Sequence, residues 1–462
     1  MNEQLNQWLQ DHLDDMIATT AALVKHNGVV ETAPTDGTPY GKAVADCLDE
    51  ALRIADSFGM KTKNFGHYAG TVELQDGTPK LGILAHLDVV PAPADGWTSP
   101  PFELTVRNGK MYGRGTADDK GPAVAVLYAM RGIKELGLPL KSNVRLILGC
   151  AEEVGGDDME QYQKHEAFPP LLFTPDADFP IINIEKGRLP SAMTATVPQT
   201  TGAHIAHILS GTVINAVPAV AEATLIGYNG NEVLQAAGEL SLEGVQFTAC
   251  SKDDSTILLT CHGVPAHAAF PEGGRNALTA LLAVLAKLPG DHEPVRALSR
   301  LFPYGDNEGI ANGMATADEV SGKLTMVLSM CELANGTLTA KADCRFPVSH
   351  TAAEMTAKFT GILQNAGFAV SCNGVEPHYV ESDSEIVQTL LSVYEDHTGE
   401  PGRCIAIGGG TYVHDTENGV AFGPNFEGEE LCLHGIDENM PLDSFLKSAQ
   451  IYGDAILRLC GE

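Results

Sequence analysis

The segment that most limits what this chain can fold into is Leu81-Gly82-Ile83-Leu84-Ala85, an unbroken apolar run that leads directly into His86-Leu87-Asp88. An extended stretch that is apolar on both faces belongs in the middle of a sheet covered on both sides, and polar residues at its end then line a cleft. The neighbouring segments agree. Helix-like stretches at Gly41 to Gly59 and Gly121 to Leu136 alternate with a second apolar run, Asn143 to Gly149, which predicts an α/β architecture with a helix-covered sheet.

At 462 residues the chain exceeds what one compact core serves, so two domains are expected. Beyond Pro190 the pattern turns β-rich, with strand-like segments at Thr224 to Tyr228, Ser255 to His262, Lys323 to Cys331 and Thr337 to Arg345. Two helices, Asn276 to Leu288 and Ala352 to Ala366, are spaced among them. This reads as two similar strand-and-helix units, one ending near Leu288 and one near Asn373. A helical stretch from Ser384 to His397 then leads into Gly408-Gly409-Gly410-Thr411-Tyr412. If polar groups from both ends of the chain share one site, the first domain is discontinuous. Residues 1–187 and 380–462 then form a catalytic domain around a mixed sheet, and residues 188–379 form an inserted α/β lid.

Charge narrows the partners. Sixty acidic against 29 basic side chains give a net charge of -31, a field that repels phosphate backbones and anionic lipid surfaces and favours cations. Nucleic acid and membrane are therefore not expected as partners, and no segment is long and apolar enough to span a bilayer. The ten cysteines are scattered without a Cys-x-x-Cys pair, which fits a reducing compartment and predicts a cytoplasmic protein. Residues Met1 to His26 place Leu5, Trp8, Leu9, Leu13, Met16 and Ile17 at helical spacing, so they read as an amphipathic helix and not as a signal peptide.

Five short constellations carry chemistry. The two-residue period of a strand sends His86 and Asp88 to one side, where one can ligate a metal while the other steadies it. The loop Gly113-Arg114-Gly115-Thr116-Ala117-Asp118-Asp119-Lys120-Gly121 lets backbone approach closely and offers a carboxylate that can bridge two cations. Glu152 and Glu153 follow the second apolar strand. On an extended backbone adjacent side chains diverge, so one can ligate while the other faces a substrate water. Asp176, after Pro175, and His434, in Leu433-His434-Gly435-Ile436-Asp437-Glu438-Asn439, complete the set. Each piece alone also fits a plainer role: a hydrogen-bonded pair, a helix-capping turn, an acidic loop, a turn residue, a structural histidine.

Taken together and in order, these motifs resemble the dinuclear zinc peptidase and deacylase family that includes aminoacylases, carnosinases and desuccinylases, and most of all its bacterial dipeptidase V branch. The resemblance spans nearly the whole chain. It implies two divalent metal ions, zinc with manganese or cobalt also compatible. His86 and Asp176 would hold one, Glu153 and His434 the other, and Asp118 both. It further implies that Asp88 orients His86 and that Glu152 is the general base, taking a proton from a water acidified by the metals as that water attacks the amide carbonyl. His267, in Val264-Pro265-Ala266-His267, resembles the lid histidine that stabilises the oxyanion. Asn215 and Arg345 match lid positions, Arg345 being suited to forking a substrate carboxylate. The amides of Gly409 and Gly410 could approach the same carboxylate. Where relatives place a basic residue after this glycine loop, the chain has Val413-His414-Asp415.

The expected function is hydrolysis of the peptide bond of dipeptides and other short peptides, β-Ala-Xaa types included. An N-acyl amino acid deacylase or a carboxypeptidase would share the metal centre, and a non-catalytic metal-binding protein would keep the ligands but have no use for Glu152. A lid of this length, with two similar units, could imitate within one chain the dimer interface of short-lid relatives. A monomer whose own His267 serves its own metals is therefore expected.

Overall fold

The computed structural model describes residues 1–33, 37–198 and 202–461. The chain divides into two compact units, one of residues 1–184, 379–405 and 410–462, the other of residues 185–378 and 406–409.

The first unit is built on a mixed sheet. Its strands follow the order Lys61–Asn64, Ala69–Glu73, Asn143–Gly149, Pro79–His86, Leu171–Thr174, Gly419–Ala421 and Ile181–Glu185. Pro79–His86 lies between two parallel partners, Asn143–Gly149 and Leu171–Thr174, and every residue from Leu81 to His86 is buried. The apolar run therefore occupies the central position its composition demands. Helices Lys120–Glu135 and Leu442–Cys460 pack against each other and against this strand, contributing Val124, Leu127, Met130, Phe445, Ile451 and Ile456 to one core with Ile83, Ala85, Leu146 and Leu148.

The amphipathic N-terminal segment forms two helices, Glu3–Asp11 and Leu13–Val24. His12 interrupts them: its Nδ1 lies 2.7 Å from the Trp8 carbonyl and its ring stacks on Trp8 at 3.8 Å. The Trp8 carbonyl also accepts the His12 N–H at 3.2 Å, so ring and backbone share one acceptor at the end of the first helix.

The second unit holds an antiparallel sheet in the order Gln246–Ser251, Thr256–His262, Val220–Ile226, His204–Ser210, Thr325–Ala334, Thr337–Phe346, Ser191–Thr196 and Ala369–Cys372. Two four-stranded halves meet where Ile208–Ser210 pairs with Cys331–Leu333. Helix Ala277–Lys287 packs on the first half and helix Ala352–Asn365 on the second. The halves match in strand number, but the first also carries helix Gly230–Glu239 on its edge strand, and the chain visits their strands in a different order. Leu281, Leu285, Leu328, Leu338, Phe346 and Phe359 belong to one continuous core beneath them.

Candidate metal centre

The central strand and its two parallel neighbours end side by side, which brings His86, the Glu152-Glu153 pair and Asp176 to one edge of the first unit. His86 Nε2 lies 3.0 Å from Asp118 Oδ1 and 3.6 Å from Asp176 Oδ2. On the other side of Asp118, His434 Nε2 lies 2.9 Å from its Oδ2 and 3.2 Å from Glu153 Oε2. All five residues read from the sequence as metal ligands therefore converge, in two trios that share Asp118.

The donor set fits divalent cations. Within each trio the imidazole nitrogen lies 2.9 to 3.6 Å from the carboxylate oxygens, a spacing that ligand atoms about 2.0–2.2 Å from a common ion can share. His86 Nε2 is fully buried, and two carboxylates face it. A nitrogen aimed with two oxygens at a common point serves a cation better than a proton.

Charge in the cluster points the same way. Burial works against a charged His86, yet hydrogen bonding to Asp118, Asp176 and Asp88 lifts its pKa well above the ordinary value. Burial and the charge of Asp118 push Asp176 up to about 6. Hydrogen bonds to Asp118 and Glu153 lift His434 to about 10, and the Glu152 carboxyl is raised well above its usual range by burial, with the charge of Asp176 adding to it. Crowded carboxylates demand positive charge, which protons or metal ions can supply.

Asp88 does more than face the histidine. His86 Nδ1 lies 3.1 Å from the Asp88 backbone carbonyl and 3.4 Å from its Oδ1, while the two carboxylate oxygens accept the N–H groups of Glu152 and Glu153, each at 3.1 Å. Drawn in by one carboxylate, Glu152–Val154 forms a turn of 3-10 helix where an extended backbone was expected. Behind it, Asp158 Oδ2 accepts the N–H groups of Cys150 and Ala151 at 2.7 and 2.9 Å and also the Tyr412 hydroxyl. A Cβ on Gly149 would fall 2.0 Å from that hydroxyl, so only glycine lets Tyr412 in.

Three supporting residues carry no role in the sequence reading. Asp119 Oδ2 accepts the backbone N–H of His86 at 3.1 Å, and Lys120 Nζ donates to the carbonyls of Leu23 and His26. Glu438, fully buried, accepts the N–H groups of Gly115, Ala117 and Asp118 and pairs with Arg114. Charged residues flanking glycine-rich ligand motifs were the available signal. A Cβ on Gly121 would meet the Thr116 carbonyl at 2.0 Å, so the Asp118 loop can fold back on its helix only at a glycine.

Of the remaining expected residues, all but Gly410 lie in the second unit. Ala216–Val217 pairs with Ala266–His267 and the Ala268 N–H donates to the Asn215 carbonyl at 2.9 Å, so Asn215 and His267 flank one ribbon. The Ala269 N–H donates to His267 Nδ1 at 3.1 Å, which leaves the ring proton on Nε2. Arg345 is already paired: Nε and Nη2 donate to the two oxygens of Asp343 at 2.6 and 2.7 Å, and Nη1 to the Gly408 carbonyl at 2.6 Å. Three of its five donors are thus engaged. A Cβ on Gly408 would meet Ala269 at 2.8 Å, whereas at Gly409 the nearest atom is 3.5 Å away. Close approach therefore constrains Gly408 more than Gly409, and Gly410 opens the return into the first unit.

A strand-end cluster of two imidazoles and three carboxylates defines a candidate metallohydrolase centre. The chain belongs to peptidase family M20/M25/M40, which matches residues 82–458. It is 35% identical over 457 residues to YtjP of Bacillus subtilis (strain 168), covering 96% of this chain and 97% of that protein. It is also 35% identical over 437 residues to the beta-Ala-Xaa dipeptidase of Lactobacillus delbrueckii subsp. lactis, covering 92% and 91%. Among solved structures, human carnosine dipeptidase 1 superposes with a TM-score of 0.59 at 14% identity, covering 99% of this chain and 98% of that one, which shows a shared fold.

Proposed function

We propose that the chain is a metal-dependent dipeptidase that hydrolyses the peptide bond of short peptides with a free C-terminal carboxylate, β-Ala-Xaa dipeptides included. The observation that carries this reading is the near full-length similarity to a beta-Ala-Xaa dipeptidase, joined to the convergence of His86, Asp118, Glu153, Asp176 and His434. His86 and Asp176 would hold one zinc ion, Glu153 and His434 a second, with Asp118 between them. Bound there, the cations would supply Lewis-acid chemistry, making a water more acidic and polarising the scissile carbonyl.

Glu152 takes the proton from that water and hands it to the leaving amine. Its backbone is fixed by the carboxylate of Asp88, which keeps the base from swinging away. The Nε2 proton of His267 stabilises the oxyanion. The two uncommitted donors of Arg345, with Asn215 and the amides of Gly409 and Gly410, receive the C-terminal carboxylate. The residues act within one chain, a cytoplasmic monomer.

A panel of dipeptides, N-acylated amino acids and longer peptides tests the substrate class. Dipeptides are expected to be cleaved, and activity confined to acylated amino acids would overturn the reading. Exhaustive chelation should abolish turnover and zinc should restore it; turnover that survives chelation would remove the metal mechanism.

A further inference from the structure

Resting on the two-cation reading above, we propose that Arg114 and Glu438 form a positioning clasp for the rim of the metal centre. The pair holds the His434 loop against the Asp118 loop, so the cation at Glu153 and His434 depends on it more than the cation at His86 and Asp176.

The His434 loop holds itself through short bonds such as Gly435 N–H to the Cys432 carbonyl at 2.9 Å, which do not reach its imidazole. The imidazole is 56% exposed, and Cys432, His434 and Asp437 all adopt left-handed backbone, with φ of 54°, 58° and 54°. Non-glycine residues keep that conformation only where surrounding contacts impose it. Thr98 and Arg107 hold the Asp437 carboxylate, and the contacts nearest His434 come from the Arg114–Glu438 pair. Arg114 Nη1 meets Glu438 Oε2 at 2.5 Å, with the two side chains 1% and 0% exposed. Arg114 Nη2 reaches the Gly435 carbonyl at 3.0 Å and the Pro91 carbonyl at 3.4 Å. Glu438 answers with its other oxygen, which accepts the N–H groups of Gly115 and Ala117 at 3.0 Å and of Asp118 at 3.2 Å. Its backbone carbonyl takes the Gly113 N–H at 3.0 Å.

One carboxylate four residues beyond His434 thus fixes the backbone of Asp118, and one guanidinium in the Asp118 loop fixes the backbone next to His434. Each loop carries the other's anchor. A buried ion pair is a poor way to gain stability, but a good way to fix one arrangement over its alternatives. His86 and Asp176 have no such need, because they stand at the ends of buried strands.

Glu438→Gln is close to isosteric, but it replaces one oxygen with an amide donor. Either Arg114 or the three backbone N–H groups then face a donor. Arg114→Lys keeps the charge and loses the fork that reaches Gly435. Zinc uptake by the full chain, titrated against a competing chelator, is measured with the Tm of the chelated protein. Wild type is expected to take up two equivalents. Each variant should bind the second equivalent about 10–100-fold more weakly and the first, whose shared ligand Asp118 is also held by Glu438, with a clearly smaller loss. Turnover should fall at limiting zinc and recover at raised zinc with KM unchanged. Variants that bind both equivalents as wild type does would overturn the clasp. So would equal weakening of both equivalents in step with a fall in Tm, which marks a general scaffold role. Wild type that binds no zinc would instead overturn the two-cation reading itself.

Discussion

Two ligands of the first trio, His86 and Asp176, stand at or just past the ends of buried parallel strands, whereas the second trio ends on His434 in an exposed loop, and Asp118, in the loop before helix Lys120–Glu135, belongs to both. His86 has no exposed surface and its backbone N–H is held by Asp119. His434 is more than half exposed and sits on left-handed backbone. A ligand at a strand end inherits its position from the core, while a ligand on a loop has to be held by added contacts. The same donor chemistry is therefore rigid on one side of Asp118 and conditional on the other.

The largest expected effect strikes both trios at once. Glu152→Ala should lower kcat by about 10²–10⁴-fold while metal content, measured by elemental analysis, stays at the wild-type value. Loss of metal along with activity would show that Glu152 supports the ligands and is not the base.

Next comes a direct contrast between the histidines in chelated protein. His86→Ala empties a buried position and leaves Asp118 and Asp176 without their partner, so its Tm should fall by about 5 °C or more. His434→Ala also frees Asp118 and Glu153 of a partner, but it empties no buried space, so its Tm should fall by less than that of His86→Ala. Equal shifts by calorimetry would erase the distinction between the trios.

Acid should sharpen the contrast further. Protons compete with the cation for Asp176, whose carboxyl is pushed up to about 6 by burial and the charge of Asp118. Above that pH the carboxylate is free to ligate. As the pH falls below it, a second proton, besides the one His86 already holds, must be displaced, so the Kd of the buried trio should rise about tenfold per unit more steeply than above it. A competition titration from pH 7 to pH 5 reads this slope, and a flat profile would rule out the competition.

The smallest effect concerns the support behind the strands. Tyr412→Phe removes the hydroxyl that Asp158 accepts and should cost about 1 kcal/mol of stability, with the affinity of the His434 trio unchanged. Loss of that trio's cation would show that the two sides share more of their scaffold than their contacts suggest.

Much of this was legible in the sequence because strand ends are. Leu81 to Ala85 and Asn143 to Gly149 carry enough apolar residues to fix both strands, and His86 and Glu153 follow from where they stop. Residues that act through backbone groups were harder to read. Nothing in the spacing of Asp88 shows that its carboxylate gathers the N–H groups of Glu152 and Glu153 and curls them into a helical turn. Glu438 lies within a motif that was seen, yet its partners are three amides more than 300 residues away along the chain. Such pairing depends on the folded path of the chain and leaves no periodic trace.

The open position of the His434 ring has a practical reach. An enzyme whose outermost ligand meets solvent can trade that ion with its surroundings while the rest of the molecule stays folded. Preparations of the same protein would then differ in specific activity according to the buffer they last saw.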